Sequence, residues 1–563
     1  MISSNATVSG GRVVLQTIYD LGGRVLFNLP GRGVYRLLDE LPNVPDLRYV
    51  GGLHEFAVAT MADGYARATG GPAFLNFYMS TGTLNAASAL FLAQRDRVPL
   101  VVTATQTETF AAGSGSRAEA QDIVAMMRPL TKWSWQVPTP DRLREALIRA
   151  TTIAMTPPMG PVFLSIPADF FDALVTLSGE VPDLKTRARG GAPELSGSSW
   201  LCEADLPVLI VGGEAVAAGA HLPALRLAEA VGAVVLAEPD PPSLPAPSEH
   251  PLYGGTVDDA ADLLSRADLV VHVGVNTYET WHGDVLRAGQ PKRHLWIGTD
   301  EAELNRVVVA DSYVLGDLLV ATQQLAASIP SPSNRDRRSS LVAEVAKERL
   351  RWKADAADGW DESPLSAARL FAELRRALPE NTVVVDQCTT TAPYLRAHFP
   401  LPAGDLYVAA SGSSQGWAAG AALGVKLADP GRPVMAVVGD GGLMFGVQAL
   451  WSAVEHQIPV VFVVCNNGGW HSMRTSLARL SPQVAGSGTE LGFGWEMDYA
   501  GLAESMGMRA VTVDSPASLR AFLSEDSLLD QPILINAICR RERRVSGWMA
   551  AGLNDTPSSP DTQ

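Results

Sequence analysis

The sequence predicts an α/β protein made of three doubly wound parallel-sheet domains. Two patterns carry this expectation. Short apolar runs at 99–104, 162–166, 207–211, 269–273, 382–385, 434–438 and 459–464 alternate with helix-like stretches. Strands read this way when crossover helices cover both of their faces. Segments rich in Gly, Pro, Ser or charge at 186–199, 328–340 and 554–563 then divide the chain into thirds. The expected domains are 10–185, 200–328 and 360–545. A chain of 563 residues exceeds what one hydrophobic core organises, and 47% hydrophobic against 18% charged residues describes a core-rich globular protein. The first and last thirds are candidates for the same fold, which their sequences alone leave open.

Composition also removes function classes. Lys and Arg number 44 and Asp and Glu 60, a net charge of −16 that repels phosphate backbones and anionic lipid. No nucleic-acid or membrane partner is expected. Cys202, Cys388, Cys465 and Cys539 lie far apart with no CxxC pair, so neither a disulfide framework nor a zinc site is indicated. Residues 1–11 lack a basic start followed by an apolar core, and every apolar run is broken before membrane-spanning length. A cytoplasmic protein is expected.

The strongest chemical signal begins at Val434, where an apolar strand runs into Gly439-Asp440-Gly441-Gly442. A helix-like stretch from Gln448 to Glu455 follows, then a second strand ending in Asn466-Asn467. Successive strand ends of a parallel sheet lie on one edge, so Asp440 and Asn467 can face one site. A carboxylate and an amide carbonyl are hard oxygen donors, suited to Mg²⁺ or Ca²⁺ that also holds phosphate oxygens. The glycines allow backbone to approach those phosphates. Gly-Asp-Gly or Asn-Asn alone is an ordinary turn; the pair with the correct unit between them is far more specific.

This pairing resembles the signature of thiamine diphosphate enzymes. The resemblance implies Asp440 and Asn467 as metal ligands, with the Gly469 carbonyl as the third protein donor, and N–H groups of Gly441 and Gly442 on the diphosphate. A second match, Gly52-Leu53-His54-Glu55-Phe56-Ala57, reads from the residues as a loop entering a helix with Glu55 in its first turn. It resembles the His-Glu-x-x-Ala stretch of the pyruvate oxidase and decarboxylase group, whose glutamate contacts the cofactor's pyrimidine ring and assists removal of the thiazolium proton. The resemblance extends over nearly the whole chain and implies pyrimidine-binding, central and diphosphate-binding domains. It further implies Mg²⁺ and thiamine diphosphate as cofactors. Active sites between subunits follow as well, in a homodimer or homotetramer. Among family members the look is nearest to benzoylformate decarboxylase, with acetolactate synthase and other carboligases nearby.

Further residues follow from the same resemblance. Thr389 and Thr390 match hydroxyls that hold the diphosphate, helix N-capping being the alternative. Within Ser411-Gly412-Ser413-Ser414-Gln415-Gly416-Trp417, the Ser413 carbonyl accepts from the cofactor's amino group. Gln415 stands where the family has a bulky apolar residue beneath the two rings. Arg32 replaces a serine that contacts the substrate carboxylate and can grip an anion bidentately. Tyr78 occupies the place of a catalytic histidine, and His282 is the candidate for the other one, a plain surface histidine being its alternative. Trp470, His471, Met473 and Ser476 fall where the family builds part of its substrate pocket, with simple packing as the alternative. In the central third, Gly212-Gly213-Glu214 lacks the full GxGxxG fingerprint, so FAD is not expected.

The leading expectation is nonoxidative decarboxylation of a 2-oxo acid. Its rival is carboligation, in which the decarboxylated unit adds to a second carbonyl of an aldehyde or ketone instead of taking up a proton. The altered histidine at Tyr78 tilts toward the rival. A flavin-dependent oxidase or synthase comes third. From another class, a noncatalytic homologue acting as a scaffold subunit is opposed by the retention of Glu55, Asp440 and Asn467.

Overall fold

In the computed structural model, three six-stranded parallel sheets follow one another along the chain. The structure describes residues 6–117, 119–177, 181, 199–279, 282–329, 335–357, 359–404, 406–412, 414–487, 492, 494, 496–524 and 528–542. The first sheet has the spatial order Arg48–Gly51, Val25–Leu29, Ala73–Tyr78, Leu100–Gln106, Val162–Pro167, Trp133–Gln136. The third has Tyr407–Ala409, Val383–Gln387, Val434–Gly439, Val461–Asn466, Ile533–Ile538, Arg509–Val513. Numbered along the chain, both read 2-1-3-4-6-5, so the two outer thirds share one topology despite their different sequences. The central sheet, Tyr253–Thr256, Val234–Ala237, Pro207–Val211, Leu269–Val273, Arg293–Gly298, Ser312–Leu315, reads 3-2-1-4-5-6, the dinucleotide-fold order.

All seven apolar runs singled out in the sequence are strands, with ends that drift by a residue or two, as at Leu100–Gln106 and Val461–Asn466. Burial on both faces explains their continuous apolarity: all six residues of Val461–Asn466 are buried. The segment 328–340 differs from a plain linker. From Arg335 it opens the 22-residue helix Arg335–Ala356, because Arg, Lys, Glu and Ala propagate a helix well. Of the other two punctuating segments, 186–198 and 554–563 lie outside the described residues.

The third domain shares a core with each of its neighbours. One cluster joins Phe27, Val58 and Met61 of the first domain to Trp417, Leu423 and Val464. Another joins Leu209 and Val271 of the central domain to Phe371, Val437 and Ile535. No helix among the described residues is long and apolar enough to cross a membrane.

Candidate active site

Where the winding direction of a parallel sheet reverses after its first strands, the loops leaving the two strands there border one crevice. In the third domain these strands are Val383–Gln387 and Val434–Gly439. Beyond Gly439 the chain turns directly into the short helix Asp440–Leu443. The buried Asp440 carboxylate accepts N–H groups from Gly441 at 2.7 Å, Gly469 at 2.9 Å and Asn467 at 3.1 Å. Burial raises its pKa and the three donors lower it. Asn467 Oδ1 is buried without a hydrogen-bond partner. An orphaned acceptor beside a fixed carboxylate is costly unless a cation or donor meets it, so this donor set fits a hard divalent ion. The Gly469 carbonyl accepts from His471 N–H at 2.8 Å and keeps its second lone pair. No group of three His, Cys, Asp or Glu able to hold a metal occurs among the described residues, so a cation here relies on the mixed set of Asp, Asn and backbone oxygen.

The surroundings fit a diphosphate. A Cβ at Gly441 would lie 2.8 Å from the Trp470 ring, and one at Gly442 would lie 3.0 Å from Gln415 Oε1. A side chain at Gly441 would therefore meet the Trp470 ring, and Gln415 reaches the turn at Gly442. Thr390 is buried and Thr389 exposed at the neighbouring loop. Neither caps the helix Ala392–His398, whose N-cap is Thr391. Ser413 lies outside the described residues. Trp470 meets Phe445 edge to face at 6.0 Å, forming an aromatic wall beside the turn. The helix His471–Leu480 carries Met473 at 38% exposure, while His471 Nε2 donates to the Glu542 carbonyl at 3.0 Å and Ser476 bonds within its own helix.

The first domain gathers a second group at its own reversal, between Val25–Leu29 and Ala73–Tyr78. The Tyr78 ring packs over Gly31, where a Cβ would lie 2.2 Å away, and Arg32 is exposed alongside. Met79 has φ +53, a left-handed conformation that costs free energy for a side-chain-bearing residue and marks a held turn. Glu55 opens the helix Glu55–Thr69, whose N-cap His54 accepts from Phe56 N–H. The Glu55 side chain is buried and accepts from Asn85 Nδ2 at 3.0 Å. Gly82 leaves room for it, since a Cβ there would lie 2.8 Å from Glu55 Oε1.

No described hydrogen bond joins this group to the Asp440 group. His282 belongs to neither. It is buried in the central domain, its Nδ1 accepting from Glu279 N–H at 2.8 Å, which leaves Nε2 to donate to Asp258 at 3.1 Å. Two residues escaped the sequence reading. Asn85 lies one helical turn beyond Gly82, so following that motif further finds it. Gln387 ends its strand and fixes the segment before Trp417, donating to the Ser414 carbonyl at 2.7 Å and accepting from Ala418 N–H at 3.1 Å.

At the central reversal, between Pro207–Val211 and Leu269–Val273, loop N–H donors are taken up by a side chain of the chain itself. Glu238 accepts from Gly213 N–H at 2.6 Å, Asn276 N–H at 2.9 Å and Thr277 N–H at 3.1 Å. Pro242 covers Gly213 so closely that a Cβ there would lie 2.1 Å from its ring.

Comparison with known proteins agrees with this three-part layout. Residues 8–126 match the thiamine pyrophosphate enzyme N-terminal TPP binding domain, 199–325 the central domain, and 390–537 the C-terminal TPP binding domain. Benzoylformate decarboxylase of Pseudomonas aeruginosa is 30% identical over 531 residues, covering 91% of this chain and 96% of its own length. A probable acetolactate synthase large subunit of Methanocaldococcus jannaschii is 25% identical, covering 94% and 92%. The structure of a thiamine diphosphate-dependent 4-hydroxybenzoylformate decarboxylase from Rhodococcus jostii superposes with a TM-score of 0.81 at 27% identity, covering 95% of this chain and all of the other.

Proposed function

The chain belongs to the thiamine pyrophosphate enzyme family, and on that premise we propose that it carries out thiamine diphosphate- and Mg²⁺-dependent, nonoxidative decarboxylation of a 2-oxo acid. The observation that carries this reading is the Asp440 carboxylate fixed by three N–H groups beside the orphaned Asn467 Oδ1. Asp440, Asn467 and the Gly469 carbonyl hold the metal; Gly441, Gly442, Thr389 and Thr390 line the diphosphate seat. When bound, thiamine diphosphate supplies the electron sink that departure of CO₂ requires. Glu55 bonds the pyrimidine ring and moves a proton at its carboxyl oxygen, oriented by Asn85. Arg32 orients the substrate carboxylate, and Trp470, Phe445 and Met473 exclude water from the cleft. Leu53, Leu84 and Phe445 flank the two groups and are each more than two-fifths exposed. Apolar surface of this kind suits burial by a second copy, so the active sites lie between subunits of a homodimer or a pair of dimers.

Carboligation is the second reading, favoured by one observation. Tyr78, its ring packed over Gly31, offers a phenol where the family resemblance has an imidazole to relay protons. Slow protonation leaves the decarboxylated unit time to add to an aldehyde or ketone.

The test is cofactor titration with Mg²⁺, followed by CO₂ release and product analysis across 2-oxo acids, with and without aldehyde acceptors. Glu55→Gln should lower turnover by about 10²–10⁴-fold with folding intact, the usual range for a positioned acid–base group. Full activity in that variant refutes the role. Absence of CO₂ from every 2-oxo acid in the panel turns the reading to a scaffold subunit.

A further inference from the structure

The helix that Glu55 opens is clamped to the third domain of the same chain. It crosses the helix Trp417–Ala428 at backbone contact: a Cβ at Gly64 would lie 2.0 Å from the Ala421 carbonyl oxygen, and one at Gly424 would lie 1.9 Å from that of Met61. Beside this crossing sits a buried ion cluster. Arg67 Nε meets Asp63 at 2.6 Å and Arg67 Nη2 meets Asp96 at 2.6 Å, with both carboxylates essentially inaccessible. The cluster reaches across the domain boundary at four points. Arg67 donates to the Ala409 carbonyl at 3.1 Å, and Trp417 Nε1 donates to Asp63 at 2.9 Å. Asp96 accepts both the N–H of Ser411, at 3.2 Å, and its hydroxyl. The guanidinium also lies 5.0 Å from the centre of the Trp417 ring.

All the third-domain partners belong to one stretch, Ala409 to Trp417, which leads to Gln415 beside the diphosphate turn. Arg67 itself lies about 18 Å along the helix from Glu55, at 1.5 Å per residue, and touches neither cofactor nor substrate. We propose that Arg67, with Asp63 and Asp96, is a positioning residue: it locks the Ala409–Trp417 stretch onto the helix carrying Glu55, so that one buried ion network sets both cofactor-facing parts of the chain. The inference rests on the reading of Gln415 and Glu55 as cofactor contacts. If active sites form between subunits, these two residues of one chain serve different sites, and the cluster is the rigid link between them.

The experiment measures thiamine diphosphate affinity by calorimetry in saturating Mg²⁺, kcat at saturating cofactor, and melting temperature for Arg67→Met, Arg67→Lys, Ser411→Ala and Trp417→Phe. Arg144→Met, which breaks a first-domain pair with Asp20 remote from both groups, serves as the control for stability alone. The expected result is a cofactor Kd raised about tenfold or more in Arg67→Met, the scale on which groups supporting ligating residues act. Partial recovery in Arg67→Lys and smaller increases in Ser411→Ala and Trp417→Phe complete the expectation, while Arg144→Met lowers only the melting temperature. Wild-type Kd and kcat in Ser411→Ala and Trp417→Phe, with only melting affected, overturn the proposal, and these mild variants decide it even where Arg67→Met fails to fold. A wild-type protein that binds no thiamine diphosphate overturns the underlying reading first.

Discussion

The central and third domains present the same kind of place, the reversal point at the carboxyl edge of a parallel sheet, and treat it oppositely. In the third domain Asp440 gathers three N–H groups, yet the neighbouring Asn467 Oδ1 is left without a partner. In the central domain Glu238 also gathers three N–H groups, but Pro242 lies over Gly213 and the Pro242 carbonyl accepts from Ala409 N–H of the third domain at 2.9 Å. The first arrangement holds an acceptor ready for something outside the chain. The second satisfies these loop donors internally and links the central domain to the third through Pro242. The comparison teaches that a dinucleotide-type topology makes the crevice available, and that the side chains at the strand ends decide whether a ligand or the protein occupies it.

The largest effect that sharpens this contrast is expected from Asp440→Asn, which removes the charge from the proposed metal seat. Affinity for thiamine diphosphate in Mg²⁺ should fall by more than about a hundredfold, read by calorimetric titration. Unchanged affinity would place the cofactor elsewhere. Glu238→Ala should leave cofactor affinity intact but strip the acceptor from three backbone donors, lowering stability by roughly 1–3 kcal/mol in urea unfolding. A purified protein with the yellow absorbance of bound FAD would break the contrast, since the central crevice would then be open. The last effect concerns pH. Burial lifts the Glu238 carboxyl from 4.5 to about 7, against the pull of its backbone donors. A raised folded-state value means that stability is fully present below about 4.5 and is lost as pH rises through about 7. Over that window Glu238→Gln should show a flatter stability curve than the wild type. Parallel curves would mean that the carboxyl does not titrate inside the fold.

Much of the architecture was legible along the chain because buried parallel strands write themselves as continuous apolar runs between punctuating glycines and prolines. Val434–Gly439 and Val461–Asn466 are of this kind, and with the crossover between them they place Asp440 and Asn467 on one edge. Glu55 was legible as a helix start because a carboxylate belongs in a first turn. Asn85 and Gln387 were not, since an amide declares no partner until the backbone brings one within reach. The identical strand order of the outer domains was equally hidden: topology is a matter of which strands pair, and dissimilar apolar runs can pair in the same way.

By itself, then, the sequence determined the α/β class, the three-domain organisation and the placing of Asp440 and Asn467 at neighbouring strand ends, because burial periodicity and residue chemistry are local properties. Tertiary structure alone decided that Glu238 takes up the loop donors of the central reversal, that His282 bonds Asp258, and that Arg67 spans two domains to hold Ala409. Each of these outcomes depends on partners between 24 and 342 residues away in the chain, and only folding brings such groups to hydrogen-bonding distance.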